Sequence, residues 1–404
     1  MSNKIDKSKY SNPKGKLKFI DLFAGIGGFH IAINNIYNSE CVLASEIDKF
    51  AAEVYRTNLG ITPKGDISQI KLNEIPNFDL LCAGFPCQPF SKGGNQQGFL
   101  DQTRGTLFFE ILRILKSKKP RYILLENVQN IVSHDNGYTY KIITDNLRNL
   151  GYSLPEKPII LSPHQFGVPV NRPRLFLPGI LQKDLSNLQF TFPSGVSLHN
   201  NYIKEYFNFK DDNSLELQIT EYELKLLIMW DEFYKGIDLK VIGFPIWYEF
   251  FKSKGTIKHH PEWKQKIIKK NREFYLRNKQ FIDEWSIKHN KLKWITNVSH
   301  KRFEWQCGDI YQSVFEGLIQ IRPSGVRIKK MNMFSTLVAM NHPQIIGPLK
   351  RRLSIQETLL LQSFPSDFKM NSSRNISLKQ LGNSVNVEVV QYVLNWLLTY
   401  EKRK

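Results

Sequence analysis

Short apolar runs alternate with periodic segments along the first 150 residues of the chain. The runs are typical of buried strands, and the segments repeat apolar residues every three to four positions, as amphipathic helices do. The predicted elements are strand Lys18–Phe23, helix Phe29–Tyr37, strand Glu40–Ser45, helix Lys49–Asn58, strand Phe78–Ala83, helix Thr106–Lys116, strand Arg121–Leu125 and helix Tyr140–Leu150. This alternation predicts βαβ units and a doubly wound parallel α/β sheet, which binds ligands at the carboxyl ends of its strands.

The pattern changes after about residue 180. Residues 181–349 are irregular, aromatic and basic, and they contain six of the seven tryptophans, most of which we expect in a core. Helical spacing returns over Ser354–Gln362 and over Val387–Tyr400. We therefore expect a larger domain that the C-terminal helix completes and a smaller irregular domain inserted within it. The expected domains are residues 1–180 plus 370–404, and residues 181–369 with the hinge.

Positive charge is concentrated in the second of these regions. The chain of 404 residues carries a formal net charge of +19, and 41% of it is hydrophobic, which is enough for a substantial core. The segment Lys252–Arg302 contains 15 Lys or Arg against 4 Asp or Glu. Because lysine and arginine neutralise phosphates and release counterions, this cluster favours a nucleic-acid partner over a generally basic proteome.

The cysteines and the apolar runs indicate where the protein acts. Cys41, Cys82, Cys87 and Cys307 form no Cys-x-x-Cys pair, so no structural metal site is predicted, and they are too few for a disulfide framework. Residues 1–16 are polar and lysine-rich, unlike a signal peptide, and no apolar run approaches the roughly 20 residues that span a bilayer. We expect a protein of the reducing cytoplasm without membrane contact.

A glycine-rich turn, Phe23–Gly28, follows the first predicted strand. Its glycines allow a ligand to approach the backbone, although such a turn can also serve close packing alone. It does not match G-x-G-x-x-G, which argues against a dinucleotide site and a nicotinamide-dependent oxidoreductase. Glu46 ends the second strand, where an acid can accept both ribose hydroxyls, and Asp66 could accept from an adenine amino group. Either acid could instead be simply solvated.

One stiff loop, Gly84–Ser91 (GFPCQPFS), comes directly after a buried strand. Pro86 and Pro89 fix its shape around Cys87, which favours a nucleophilic thiolate over the usual alternative, a small buried hydrophobic side chain. Glu126 follows the next strand and should reach the same edge of the sheet. A carboxyl group beside a thiol can assist nucleophilic attack by acid–base chemistry.

Two arginines, Arg172 and Arg174, could bind a carbonyl oxygen or a phosphate, or be ordinary surface charge. They belong to one of six motifs that occur in order along the chain. The motifs are the turn at Asp21–Gly28, GFPCQPFS at Gly84–Ser91, ENV at Glu126–Val128, FGVPVNRPR at Phe166–Arg174, RRLSIQETLLLQSFP at Arg351–Pro365 and QLGNSV at Gln380–Val385. The set resembles the bacterial DNA cytosine-C5 methyltransferases of restriction–modification systems, over residues 16–178 and 348–398.

The resemblance implies a Rossmann-like, S-adenosylmethionine-dependent methyltransferase sheet with a smaller target-recognition domain. It implies that Cys87 attacks carbon 6 of a flipped cytosine while Glu126 engages N3 and the exocyclic amine. Arg174, supported by Arg172, is then expected to contact the cytosine carbonyl. S-adenosylmethionine is the implied cofactor, S-adenosylhomocysteine the product, and no metal is implied. The residues expected to contact the cofactor are Phe23, Gly25, Gly27, Glu46, Asp66, Ile67, Pro86, Leu107, Asn383 and Ser384. Val170 departs from the family pattern, which has glutamine there.

Double-stranded DNA is the expected partner, with the segment Arg322–Arg327 facing it. The resemblance adds a restriction endonuclease that acts separately, and a monomer is the default state. An RNA cytosine-C5 methyltransferase of the same fold is the main alternative, against which the large basic insert argues. A non-catalytic DNA-binding protein on the same scaffold is another, against which the intact Cys87, Glu126 and Arg174 argue.

Overall fold

Two compact units make up the described part of the chain. The computed structural model describes residues 16–86, 107–182, 188–200, 202–207, 214–238, 242–253, 255–337 and 344–400. The first unit draws on residues 1–197, 335–340 and 355–404, and the second on residues 198–334 and 341–354. The boundaries between the units differ from the expected ones at residues 181 and 370. Leu188, Leu359 and Phe364, which were expected in the second domain, are buried in a core of the first unit.

The eight elements predicted within the first 150 residues are all present, with ends within three residues of the expected ones. The strands are β1 (Leu17–Leu22), β2 (Ser39–Ser45), β3 (Leu80–Gly84), β4 (Tyr122–Val128), β5 (Tyr152–Ser153), β6 (Ile159–Leu161), β7 (Arg174–Leu181), β8 (Ile246–Trp247), β9 (Arg302–Gln306), β10 (Leu318–Arg322), β11 (Gly325–Lys329), β12 (Ile345–Ile346) and β13 (Arg351–Arg352). The helices are α1 (Gly28–Ile36), α2 (Lys49–Leu59), α3 (Leu107–Lys118), α4 (Tyr138–Asn149), α5 (Tyr202–Phe207), α6 (Glu221–Gly236), α7 (Glu262–Arg277), α8 (Lys279–Lys288), α9 (Ile355–Leu361), α10 (Arg374–Asn383) and α11 (Val387–Thr399). Within the described ranges, no helix is both long and apolar enough to cross a membrane.

The first unit is built on a seven-stranded sheet in the order β2-β1-β3-β4-β7-β5, with β6 also paired to β7. Strands β1 to β4 run parallel, whereas β7 is antiparallel to β4 and to both β5 and β6. The predicted α/β fold class is confirmed, and the antiparallel strands are an addition to it. The strand order reverses beside β1, since β2 lies on one side of it and β3 on the other. Such a switch point is where open α/β sheets bind ligands.

Helices cover both faces of this sheet. Phe19 of β1 packs in one core with residues of α1 and α11, whereas the next residue, Ile20, packs in the other core with residues of α3 and α4. Successive residues of a strand point to opposite faces, so a strand that is covered on both sides must be apolar throughout. This is the physical reason for the uninterrupted apolar runs in the sequence.

The second unit combines a six-stranded sheet, in the order β13-β12-β10-β11-β9-β8, with an aromatic core. Trp230 stacks on Phe303 with 5.0 Å between ring centroids, and Tyr234 stacks on Trp305 at 3.7 Å. Four of its six tryptophans are buried, as expected, while Trp263 is 61% exposed. Its strands contain only two to five residues, too few to leave a periodic signal, which is why the sequence pattern there is irregular.

Gly179 of β7 lies opposite Ile123 of β4 in the buried centre of the first sheet. A Cβ atom there would lie 2.8 Å from Ile123 Cγ1 and 2.9 Å from Leu154 Cδ2. We expect Gly179→Ala to lower the free energy of unfolding by about 1–3 kcal/mol, the usual cost of overpacking. Gly65→Ala, whose Cβ would meet nothing within 4 Å, is the matched control. Urea unfolding measures both, and equal midpoints would contradict the prediction.

Candidate active site

The turn after β1 has an unusual backbone. Phe23 and Gly25 have positive φ angles of 55° and 54°, and Gly27, which precedes α1, has a φ of 91°. Residues other than glycine rarely adopt positive φ angles, and those that do cluster at functional sites. The Ala24 N–H donates to the carbonyl of Ser45 at 3.0 Å, which holds the turn against the end of β2. The backbone of the turn is therefore fixed in position.

Glu46 is held directly beside this turn. Its Oε2 accepts from the N–H of Gly25 at 2.7 Å, and its Oε1 accepts from the N–H of Asp48 at 2.8 Å. A carboxylate has about four acceptor positions, so each oxygen retains one that a hydroxyl group can use. The side chain is thereby set in one orientation, as an acceptor for a ligand with two neighbouring hydroxyls.

A cleft of about 490 Å³ is bordered by the residues that follow β1, β2, β3 and β4. Eight of the ten residues expected to contact the cofactor line it, and so do Glu126, Arg172 and Arg174. The eight are Phe23, Gly25, Glu46, Asp66, Ile67, Pro86, Leu107 and Asn383. The other two stand at helix ends, since Gly27 precedes α1 and Ser384 follows α10. In the described residues, no group of three or more His, Cys, Asp or Glu side chains could hold a metal ion.

One part of the cleft combines apolar walls with carboxylates. Asp66 Oδ1 accepts from the N–H of Ser68 at 2.9 Å, which leaves Oδ2 to accept from a ligand. Ile67 is buried in the wall, and Ile47, which directly follows Glu46, is 73% exposed and also lines the cleft. Apolar surfaces with a few fixed polar groups are the usual lining of small-molecule sites. This part suits a nucleoside.

Glu126 and Arg174 form an ion pair in the same cleft. Glu126 is near the end of β4, Arg174 begins β7, and Arg174 Nε lies 3.2 Å from Glu126 Oε1. Burial raises the pKa of Glu126 above its ordinary value, and the charges of Arg174 and Arg172 oppose that rise. Burial lowers the pKa of Arg174, which the charge of Glu126 opposes. The pair thus presents a carboxyl group that readily takes a proton beside a guanidinium with further donors.

Arg172 lies deeper than Arg174 and is only 3% exposed. Its Nη1 donates to the carbonyl of Leu337 at 2.7 Å, and its Nη2 donates to the carbonyls of Gly382 at 2.8 Å and Ser384 at 2.9 Å. Burial, helped by the charge of Arg174, lowers its pKa to about 9, and the charge of Glu126 opposes the shift. The guanidinium therefore holds backbone segments together.

Asn127 joins the end of β4 to the segment that follows β3. Its Nδ2 donates to the carbonyl of Phe85 at 2.9 Å, and its Oδ1 accepts from the N–H of Val128 at 2.8 Å. Pro86 comes next and lines the cleft. Cys87, the predicted nucleophile, lies outside the described residues.

Several residues that line the cleft were given no role by the sequence reasoning, among them Ile47, Asn127, Lys379 and Gln380. Ile47 had a signal, because it is a large apolar residue directly after an acid at a predicted strand end. Lys379 also had one, since it stands four positions before Asn383 and residues at that spacing share a helix face. Asn127 lies inside the quoted ENV motif, although nothing in the motif indicates its bond to Phe85.

The segment expected to face DNA forms the β10–β11 hairpin of the second unit. Arg322 Nη2 and Arg327 Nε both donate to Glu304 Oε2, at 2.7 Å and 2.9 Å. One carboxylate cannot neutralise two guanidinium groups, so the cluster retains positive charge. Each arginine side chain is about a quarter exposed, which leaves donors within reach of a partner.

Comparison with known proteins agrees with this geometry. The family model for C-5 cytosine-specific DNA methylase matches residues 17–398. The type II methyltransferase M.BanI of Aneurinibacillus aneurinilyticus is 34% identical over 94% of this chain and 95% of its own length. The type II methyltransferase M.AluI of Cellulosimicrobium cellulans is 29% identical over 95% of this chain and 92% of its own. The crystal structure of the S. pombe Dnmt2 methyltransferase shares the fold, with a TM-score of 0.54 and 22% identity over 96% of this chain and 99% of that one. The chain belongs to the family of C-5 cytosine-specific DNA methylases.

Proposed function

We propose that this chain methylates carbon 5 of a specific cytosine in double-stranded DNA, as the modification enzyme of a restriction–modification system. The observation that carries the proposal is that one cleft holds both Glu46, set to accept two hydroxyls, and the Glu126–Arg174 pair. S-adenosylmethionine is the methyl donor of this family and S-adenosylhomocysteine its product. The relatives M.BanI and M.AluI are named type II methyltransferases, which supports the modification role.

The nucleoside end of the cofactor fits the part of the cleft beside Glu46. There Glu46 accepts the ribose hydroxyls, Asp66 accepts from the adenine amino group, and Ile47 covers one face of the adenine. Further contacts come from the other residues named from the sequence. These are Phe23, Gly25, Gly27, Ile67, Pro86, Leu107, Asn383 and Ser384. The bound cofactor supplies an electrophilic methyl group; the chain's own residues orient it and exclude water.

Glu126 and Arg174 recognise the target cytosine. The raised pKa of Glu126 allows its carboxyl group to donate a proton toward N3, while the other oxygen accepts from the exocyclic amine. Arg174 donates to the cytosine carbonyl, and Arg172 is a positioning residue that fixes the start of β7. The base must leave the duplex to reach this buried pair, which costs a few kcal/mol of unstacking that the pocket contacts offset.

Cys87 is the proposed nucleophile, on the strength of the sequence motif. Its thiolate adds to carbon 6, and the electron pair of the C5–C6 bond becomes available at carbon 5. Carbon 5 then forms a bond to the methyl group, a base removes the carbon 5 proton, and the thiolate leaves with restoration of the double bond. The adduct is needed because carbon 5 of cytosine is otherwise a poor nucleophile.

The second unit is proposed as the target-recognition domain and the first as the catalytic domain. Support comes from the positive Arg322–Arg327–Glu304 cluster and from the basic segment Lys252–Arg302, since phosphate contacts dominate DNA affinity. We further propose that the enzyme acts as a monomer in the cytoplasm, and that a cognate endonuclease acts separately.

Transfer from tritiated S-adenosylmethionine tests the function directly. With duplex DNA of mixed sequence, label should appear in 5-methylcytosine, and Cys87→Ser should abolish it because a hydroxyl is a poor nucleophile toward carbon 6. The variant should still bind duplex DNA as the parent does. Label found only in a parallel RNA reaction would favour the RNA methyltransferase instead, and transfer by the serine variant would refute the nucleophile.

Glu126→Gln should lower kcat by about 100-fold or more, because an amide cannot transfer a proton to N3. In the parent, the single-turnover rate should fall as pH rises through the raised pKa of Glu126, where the acid form is lost. Arg174→Met removes a charge that lowers this pKa, so the fall in the single-turnover rate should occur at higher pH. Pre-steady-state rates measured across a range of pH test this shift. If the fall in rate occurs at the same pH in the parent and the variant, another group is responsible for it.

DNA binding should weaken steeply with salt, because phosphate contacts release counterions. Arg327→Ala should reduce the slope of log K against log salt by about 1. Lys369→Ala, at an exposed lysine of the first unit and outside the basic segment, is the control and should leave the slope unchanged. Fluorescence anisotropy with a labelled duplex gives the slopes. A parent slope near zero would argue against the second unit as the phosphate-binding surface.

A further inference from the structure

A buried group of polar side chains behind the glycine-rich turn has no part in the proposed mechanism. Asp21 of β1, His30 of α1 and Tyr55 of α2 are each at most 4% exposed. Tyr55 Oη lies 2.8 Å from His30 Nδ1 and 3.5 Å from Asp21 Oδ2, and Cys41 Sγ of β2 lies 3.6 Å from the same oxygen. Four elements of the first unit thus bring titratable groups to one hydroxyl.

This group adjoins the turn from below and from both of its ends. A Cβ added at Gly27 would lie 3.1 Å from Tyr55 Cδ2, so the tyrosine ring packs directly against the turn. Asp21 stands two positions before the turn begins, and His30 is in the first turn of α1, which follows it. Any change in the hydrogen bonds among these three side chains is therefore felt by the turn.

Asp21 has no positive partner. Its Oδ1 is buried and has no hydrogen-bond partner in the described part of the structure. The nearby charge that acts on it is the carboxylate of Glu46, and no described lysine or arginine opposes that effect. Burial, together with the charge of Glu46, raises the pKa of Asp21 well above its ordinary value, although hydrogen bonds from Tyr55 and from the backbone of His30 oppose the rise. An ionised Asp21 would be an unpaired charge in the core, which is strongly unfavourable.

The remaining titratable groups around Asp21 are thiols. Cys82 of β3 lies opposite Asp21 in the sheet, and Cys41 lies beside Tyr55. Burial, with the charge of Asp21 adding to it, raises the pKa of both thiols, that of Cys41 to about 12. The Cys41 thiol donates to the carbonyl of Leu43 at 3.4 Å. Neither thiol supplies a positive charge that could balance an ionised Asp21.

The two distances to Tyr55 indicate which way its proton points. A hydrogen bond from a hydroxyl to an ionised carboxylate is short, about 2.5–2.7 Å between oxygens, whereas Tyr55 Oη and Asp21 Oδ2 are 3.5 Å apart. The 2.8 Å contact with His30 Nδ1 is that of a full hydrogen bond. Burial lowers the pKa of His30 to about 4, so the ring is neutral and Nδ1 can accept. With the tyrosine proton directed to His30, a bond between Asp21 and Tyr55 requires a proton on Asp21.

We propose that Asp21 carries a proton in the folded enzyme and is a positioning residue, which donates to Tyr55 while Tyr55 donates to His30. This chain of neutral groups joins β1, α1 and α2 around the glycine-rich turn. It also keeps a second negative charge away from Glu46, which accepts from Gly25 in that turn. The positioning role rests on the proposed function, which places the cofactor ribose at Glu46.

The proton is tested by comparing Asp21→Asn with the parent in urea unfolding at a series of pH values. Asparagine keeps the size of the side chain and can donate to Tyr55 through its amide, but it does not titrate. The folded parent keeps the proton that the unfolded parent releases above the ordinary carboxyl pKa. The parent should therefore be most stable, relative to the variant, at acid pH. This advantage should be lost as pH rises toward the raised pKa of Asp21, by a factor of ten in the unfolding equilibrium constant per pH unit.

Asp79→Asn, at an exposed aspartate just before β3, is the matched control and should not follow this slope. A ratio of unfolding constants for parent and Asp21→Asn that does not change with pH would overturn the proposal, because Asp21 would then lose its proton at the same pH in both states.

The positioning role is tested by titration calorimetry of the full chain with S-adenosylhomocysteine. Tyr55→Phe interrupts the chain but keeps the ring against Gly27, and it should raise the Kd about tenfold. Asp21→Asn should bind within about twofold of the parent, because its amide maintains the chain. Tyr152→Phe is the matched control: Tyr152 is equally buried in the other core of the unit and donates to the carbonyl of Pro120 at 2.8 Å. Its loss should lower stability without altering the Kd.

The outcomes separate this inference from the proposed function. Equal Kd values for the parent and Tyr55→Phe, or equal weakening by Tyr55→Phe and Tyr152→Phe, would overturn the positioning role. Failure of the parent to bind S-adenosylhomocysteine would refute the cofactor placement and the positioning role with it, whereas the pH dependence of unfolding would still decide whether Asp21 carries the proton.

Discussion

One buried cation holds together the segments that form the active site. Arg172 donates to the carbonyls of Leu337, Gly382 and Ser384, which are 165, 210 and 212 positions further along the chain. Burying an unpaired cation costs several kcal/mol, and charge-assisted hydrogen bonds to three carbonyls offset that cost. Burial lowers the pKa of Arg172 only to about 9, so the group keeps its charge at neutral pH. Leaving a buried polar group without its hydrogen-bond partner typically costs about 1–3 kcal/mol.

This arrangement divides two adjacent arginines into different tasks. Nη1 and Nη2 of Arg172 donate to backbone carbonyls, and its buried Nε has no hydrogen-bond partner among the described residues. Arg174 instead contacts Glu126 and the carbonyl of Pro173, at 3.2 Å and 2.9 Å, which leaves part of its guanidinium fork for a new partner. Arg174 is the first residue of β7, whereas Arg172 lies just before the strand, so the two guanidinium groups reach different partners.

The first 150 residues could be predicted well because each strand there is buried on both faces and each helix on one. Apolar runs and helical spacing then carry the fold directly, as Phe19 and Ile20 illustrate with their two separate cores. Strands β5 and β6, of two and three residues, are too short for such a signal. The same holds for the second unit, where stacking pairs such as Trp230 and Phe303 join distant segments.

The position of a residue in the cleft could be predicted where a residue type stands at a strand end, as at Glu46 and Glu126. It was less predictable where a contact depends on chain segments far apart. Arg172 shows the limit, since its sequence motif suggested a role beside Arg174 but none of its three carbonyl partners. Asn127 is similar, because its bond to Phe85 depends on β3 and β4 being neighbours in the sheet.

The two glutamates of the cleft show how the same side chain acquires different chemistry. Both oxygens of Glu46 accept backbone N–H groups, at 2.7 Å and 2.8 Å, which fixes the orientation of its remaining acceptor positions. Glu126 is paired with Arg174 instead, and burial outweighs the two nearby arginines in raising its pKa. A carboxyl group in that balance can give up a proton to a base that enters the cleft and take it back when the base leaves. The surroundings, more than the residue type, therefore suit these two glutamates to the different roles proposed for them.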